Sequence, residues 1–94
     1  MSETRVFVTK GAEKDLSRVP RHIAVKLAAW IESVQIDGIA ETRKIPGFHD
    51  EPLQGKRWGQ RSIRLSRSYR AIYETKFDGQ IECIQIQEVG KHDY

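Results

Sequence analysis

Glu51, Arg70, His92 and Tyr94 are the residues of this chain best suited to moving protons and holding a growing negative charge. Cutting an RNA phosphodiester without a metal needs three parts: a base for the 2′-OH, cationic donors for the charge on the phosphate, and an acid for the leaving 5′-oxygen. A carboxylate such as Glu51 accepts a proton, more readily when partly desolvated. Arginine is no acid at neutral pH, but its fork of donors fits two phosphate oxygens, which suits Arg70 to transition-state stabilisation. Histidine titrates at ~6.5 and gives or takes a proton, so His92 is the best candidate for the acid. Tyr94 closes the chain beside it. Taken singly, each residue has a plainer reading: Glu51 as a solvated turn residue, Arg70 as a salt-bridged strand residue, His92 as an exposed terminal side chain.

Charge gives these residues a common setting. From Pro52 to Tyr73 the chain carries six basic residues (Lys56, Arg57, Arg61, Arg64, Arg67 and Arg70) and no acid, whereas the remainder holds 10 basic against 13 acidic residues. The net charge of +3 hides that asymmetry. Clustered Arg and Lys on a mildly acidic body form a polyanion-binding surface, and Lys56, Arg57, Arg61, Arg64 and Arg67 are the RNA-binding candidates. A solvated edge that deters strand pairing, or a docking surface for an acidic partner, would use the same residues. Trp58, Tyr69 and Tyr73 are candidates for stacking on bases, or equally for the core.

Other chemistries find no support. His22, His49 and His92 are scattered, with no Cys pair and no His-x-x-x-His, so no metal site is expected. Phosphate-loop, nucleophile-elbow and dinucleotide-binding glycine patterns are absent, and no cofactor is expected. The single cysteine, Cys83, reads as a packing residue of a reduced, cytoplasmic domain. No window approaches the ~18 apolar residues of a membrane span, so no membrane partner is expected. With 94 residues, 38% of them apolar, the chain is read as one domain, residues 1–94, near the lower end of what buries a self-sufficient core.

These side chains need elements to carry them. Arg5–Val8 reads as a first strand closed at Lys10-Gly11, and Ala12, Leu16 and Val19 recur at helical spacing. Pro20 suits the first turn of a second helix. In that helix Ile23, Leu27, Trp30 or Ile31, and Val34 form an amphipathic stripe ending at Asp37-Gly38. Gly38 to Gln60 reads as a long connection, with Ile45-Pro46-Gly47-Phe48 breaking any helix begun at Ile39 and Glu51 in a turn. Three alternating strands follow: Ser62–Ser66, Tyr69–Thr75 and Ile81–Val89, with tight turns at Arg67-Ser68 and Phe77-Asp78-Gly79. The expectation is an α+β fold, a helical hairpin packed on an antiparallel sheet in the order β-α-α-β-β-β. Alternation sets Arg70 opposite Tyr69, Ala71 and Tyr73, so an inward aromatic face turns Arg70 into an open concavity.

The element order, with Glu51-Pro52-Leu53, Gly55, Ser62-Ile63-Arg64, Tyr69-Arg70-Ala71-Ile72-Tyr73 and His92-Asp93-Tyr94, resembles the RelE/ParE superfamily of bacterial toxins. The likeness runs from Val6 to the end and is greatest to the RelE/YoeB-like messenger RNA interferases. Asp93 separates His92 from Tyr94 where that branch has the two adjacent. The resemblance implies that Glu51, Arg70, His92 and Tyr94 are the functional residues of an endoribonuclease toxin. It further implies messenger RNA and the 70S ribosome as partners, attack by the 2′-OH leaving a 2′,3′-cyclic phosphate, and a cognate protein antitoxin. ParE-type gyrase inhibitors share the fold without nuclease chemistry, and the joint presence of Glu51, Arg70 and His92 favours the nuclease.

Overall fold

The structure, a computed structural model, describes residues 3–91, so the expectations for His92 and Tyr94 lie outside the described residues. Strand β1 (Glu3–Val8) leads into helices α1 (Lys10–Leu16) and α2 (Arg21–Asp37), a single-turn α3 (Ile39–Thr42), and then strands β2 (Glu51–Pro52), β3 (Gln60–Arg64), β4 (Tyr69–Asp78) and β5 (Ile81–Lys91). The α+β class and a helical pair against a sheet agree with the sequence-based expectation. No helix among the described residues is long and apolar enough to cross a membrane.

The sheet itself differs from that expectation in two ways. It has five strands in the order β1-β5-β4-β3-β2, because Glu51-Pro52, expected in a turn, pairs with Ser62 and Arg61 as a short edge strand. It is also not wholly antiparallel, since β1 lies parallel to β5 from Glu3↔Ile81 to Val8↔Ile86. A parallel neighbour needs an intervening crossover rather than a hairpin. Everything between β1 and β5 supplies it.

Helix α2 forms the core as its spacing requires. Ile23, Leu27, Trp30 and Val34 are all buried, and Trp30 packs at 5.0 Å from the Tyr73 ring of β4. Ile63, Leu65, Ala71, Ile84, Ile86 and Val89 complete the same cluster from the sheet side. Gly38 ends α2 at φ 86°, in the left-handed region a glycine adopts without steric cost.

Helix α1 starts two residues earlier than Ala12 because Thr9 caps it: its hydroxyl accepts from the Ala12 N–H at 3.1 Å, satisfying an orphan donor of the first turn. Past Ile86 strand β5 has no β1 partner, and there Asp15 of α1 accepts from the Val89 N–H at 3.0 Å. The helix thus covers an otherwise open strand edge.

The turn between β3 and β4 is longer than Arg67-Ser68. Leu65 and Ser66 N–H groups both donate to the Tyr69 carbonyl, and Ser66 Oγ accepts from the Ser68 and Tyr69 N–H groups. A second irregularity interrupts β5: Ile72 pairs with Glu88 but Tyr73 pairs with Ile86, leaving Gln87 as the extra residue of a bulge. The bulge lets Gln87 and Glu88 both avoid the core while Ile86 and Val89 enter it.

Candidate nucleic-acid interface

Strand pairing assigns the side chains of the sheet to two faces. Arg61, Ile63, Tyr73, Ala71, Ile86 and Val89 face the helices. Glu51, Ser62, Ile72 and Glu88 form one cross-strand row on the opposite, helix-free face, and Arg64, Arg70 and Gly90 form the next. The structure therefore brings Glu51, Arg64 and Arg70 onto one open face, as the alternation of β4 suggested. Arg70 lines a cavity of 420 Å³ that runs from this face to helix α1, together with Arg57, Ile72, Glu88, Val89, Gly90 and Lys91 at the end of β5, and Asp15 of α1. Burial and the nearby charge of Arg57 push the Arg70 guanidinium below its ordinary pKa, opposed by Glu88 and Glu51. Glu51 and Glu88 thus lie within electrostatic reach of the same arginine.

Glu51 owes its place to the residue before it. The Asp50 side chain is fully buried; it accepts from Arg61 Nε at 2.6 Å and from the Tyr73 hydroxyl at 2.5 Å. Arg43 in turn donates to that hydroxyl at 3.2 Å and to Thr75 Oγ1 at 3.5 Å. Burial, then the hydrogen bond to Asp50, pushes the Tyr73 hydroxyl well above its ordinary pKa, so it serves as a neutral donor. This network pins the chain entering β2 to the sheet. His49, at φ 46° the only left-handed non-glycine residue among the described residues, makes the turn into it and sets its Nε2 3.9 Å from Glu51 Oε2.

The basic stretch divides into different jobs. Arg61, expected as an RNA contact, is committed to Asp50 on the helix side. Burial works against its charge, and the hydrogen bond and charge of Asp50 more than offset it. Arg57 reaches onto the open face and grips Glu88 through two hydrogen bonds, at 2.7 and 3.3 Å. The hydrogen bond from Arg57 holds the Glu88 carboxyl below its ordinary value. Lys56, Arg64 and Arg67 are exposed. Of the aromatic candidates Tyr73 is core and Tyr69 packs against it, while Trp58 is 82% exposed.

Sequence reasoning missed Asp50, Glu88 and the position of Arg57. Asp50 and Glu88 meet partners 11 to 31 residues away, which no local pattern encodes. The apolar spacing Ile84, Ile86, Val89 did carry a signal, since its break from period two marks the bulge that frees Glu88. Among the described residues no group of three or more His, Cys, Asp or Glu could hold a metal ion.

No protein-family model matches the chain, and no curated protein matches it. Solved structures do. The YoeB/ParE toxin from Agrobacterium tumefaciens superposes with a TM-score of 0.69 at 18% identity, covering 95% of this chain and 99% of that one. YafQ from Escherichia coli gives 0.73 at 14% identity, covering 96% and 94%. The YoeB–YefM complex from Staphylococcus aureus gives 0.66 at 19% identity, covering 99% and 100%. The fold of this chain is accordingly that of the RelE/YoeB-like toxins, and the likeness spans nearly all of its length.

Proposed function

We propose that the chain is the toxin of a toxin–antitoxin pair and an endoribonuclease that cleaves messenger RNA on the ribosome. The observation that carries this reading is that Glu51 and Arg70 share one open, basic sheet face, in a fold shared with the YafQ and YoeB toxins. Glu51 takes the proton of the 2′-OH, and the 2′-oxygen attacks the adjacent phosphorus. Arg70 stabilises the charge gathering on the non-bridging oxygens. The bond from phosphorus to the 5′-oxygen breaks, and that oxygen takes a proton from His92, leaving a 2′,3′-cyclic phosphate and a 5′-OH. Tyr94 adds a further hydroxyl beside the leaving group. Support for His92 and Tyr94 comes from Lys91, which ends β5 in the wall of the Arg70 cavity.

Lys56, Arg57, Arg64 and Arg67 are proposed to hold the RNA backbone, and Trp58 to stack on a base. The similar DinJ–YafQ structure is a toxin–antitoxin complex. By the same logic a protein antitoxin with an acidic segment is the proposed inhibitor of the basic face.

Arg70→Ala is expected to lower cleavage by more than about 100-fold, as loss of a preorganised oxyanion donor does. The check is brief induction in bacteria followed by primer extension on an abundant messenger. Cuts within translated codons that vanish with folded Arg70→Ala protein support the reading. Growth arrest with intact messengers overturns it and directs attention to gyrase supercoiling, the activity of a ParE-type binder.

A further inference from the structure

Glu88 stands between two guanidinium groups on the open face. Its two oxygens accept from Arg57 Nη1 and Nη2. Its cross-strand partner, Ile72, lies two residues from Arg70, which makes Glu88 and Arg70 diagonal neighbours. Gly90, directly opposite Arg70, brings no side chain, and a Cβ built there meets nothing within 4 Å. Among the described residues the space beside Gly90 is open, and Gly90, Arg57, Arg70 and Glu88 all line the 420 Å³ cavity. A carboxylate gripped by one guanidinium and flanked by another reproduces how arginine forks take a phosphodiester: two terminal oxygens, one negative charge.

We propose that Glu88 is an internal competitor for the phosphodiester, holding Arg57 until a phosphate seated between Arg57 and Arg70 displaces it. The inference rests on the reading of this face as an RNA-binding surface. The Arg57 and Glu88 side chains are 44% and 48% exposed, and a surface ion pair of that kind exchanges readily for another anion. Until a phosphate arrives, Glu88 also relieves the repulsion between two neighbouring arginines. Its removal therefore leaves Arg57 available to the ligand and makes binding tighter rather than weaker.

The test measures binding of a short single-stranded oligodeoxynucleotide, which lacks the 2′-OH and cannot be cleaved this way, by fluorescence anisotropy across a salt series. Glu88→Gln is expected to bind about 3- to 5-fold more tightly than wild type, with a salt slope close to that of wild type, because Arg57 meets the same phosphate in both. Glu88→Ala, which cannot re-form a hydrogen bond to Arg57, is expected to behave alike. Adding Arg57→Ala is expected to abolish the gain. Glu41→Gln, which removes an exposed acid on α3, controls for net charge and is expected to give a smaller change. A gain that persists without Arg57, that Glu41→Gln matches, or that never appears in either Glu88 variant overturns the proposal. If Arg70→Ala still weakens binding in that event, the phosphodiester-binding reading stands and only the role of Glu88 falls. If it does not, both fall.

Discussion

Asp50 illustrates how one buried charge governs the position of an exposed one. Its carboxylate satisfies Arg61 and Tyr73 together, and the backbone turns directly from it into Glu51. Removing Asp50 takes the acceptor from a partly exposed guanidinium and a buried hydroxyl, at a cost of about 1–3 kcal/mol. Asp50→Ala is accordingly expected to lose stability on that scale in urea unfolding, whereas Glu51→Ala, at an exposed site, is expected to shift the midpoint little. Equal, small shifts would deny Asp50 its anchoring role. Glu88 supplies a pH counterpart. The hydrogen bond from Arg57 sets its folded pKa below its unfolded value, so the pairing stabilises the fold fully above the ordinary carboxylate pKa of about 4.3. That contribution fades as pH falls through the lower, folded value. Glu88→Gln should therefore flatten the acid side of the stability-against-pH curve; wild-type and variant curves that run parallel below pH ~4.3 would remove the pair from the account. That Arg70 faces away from the helices was legible from the alternation of its strand, whereas Glu51, expected in a turn, reaches the same face through an edge strand. Asp50 was not legible, since an aspartate next to a glutamate in a polar stretch looks solvated until the fold brings Tyr73 and Arg61 to it.

At the scale of elements, the helices and the three long strands followed from periodicity, and the departures have physical causes. Helix α1 begins at Lys10 because a threonine hydroxyl outweighs a glycine in the first turn. Strand β2 exists because Pro52 is tolerated at a sheet edge, where its missing N–H costs no ladder bond. The parallel pairing of β1 could not be read locally, since nothing in a six-residue strand states which neighbour it will meet. What α1 does for β5 is testable. Asp15 is the side-chain acceptor for the Val89 N–H at a buried position, and an unsatisfied buried donor costs about 1–3 kcal/mol. Asp15→Ala is expected to lower global stability within that range and to speed amide exchange at Val89 more than at Ile84, which lies inside the β1-paired part of the strand. Uniform protection across β5 in the variant would mean that the helix cap contributes nothing at this edge. The matter bears on function because the last residues of β5 wall the cavity that holds Arg70.

Over the whole molecule, charge is segregated by the fold more sharply than by the chain. Six basic residues fall between Pro52 and Tyr73, yet Arg61 is spent inward on Asp50 and Arg57 is held by Glu88. Lys56, Arg64 and Arg67 remain exposed and make no ion pair among the described residues. A sequence count treats these cations as equivalent, and the structure does not. If the open face binds a polyanion, the exposed set must supply much of the salt dependence, beside the phosphate taken by Arg57 and Arg70, because counterion release follows phosphate contacts and not total charge. Replacing Lys56, Arg64 and Arg67 by Gln together is expected to reduce the slope of log K against log salt for a single-stranded oligonucleotide by about 2, roughly 0.7 for each phosphate no longer neutralised, while leaving the urea midpoint nearly unchanged. Arg61→Gln is expected to do the reverse: a clear loss of stability, with a slope close to wild type once the protein is kept folded. A slope that Arg61→Gln lowers as much as Arg64→Gln would mean that Arg61 leaves Asp50 to meet the ligand, and the division of labour between anchoring and binding cations would have to be redrawn.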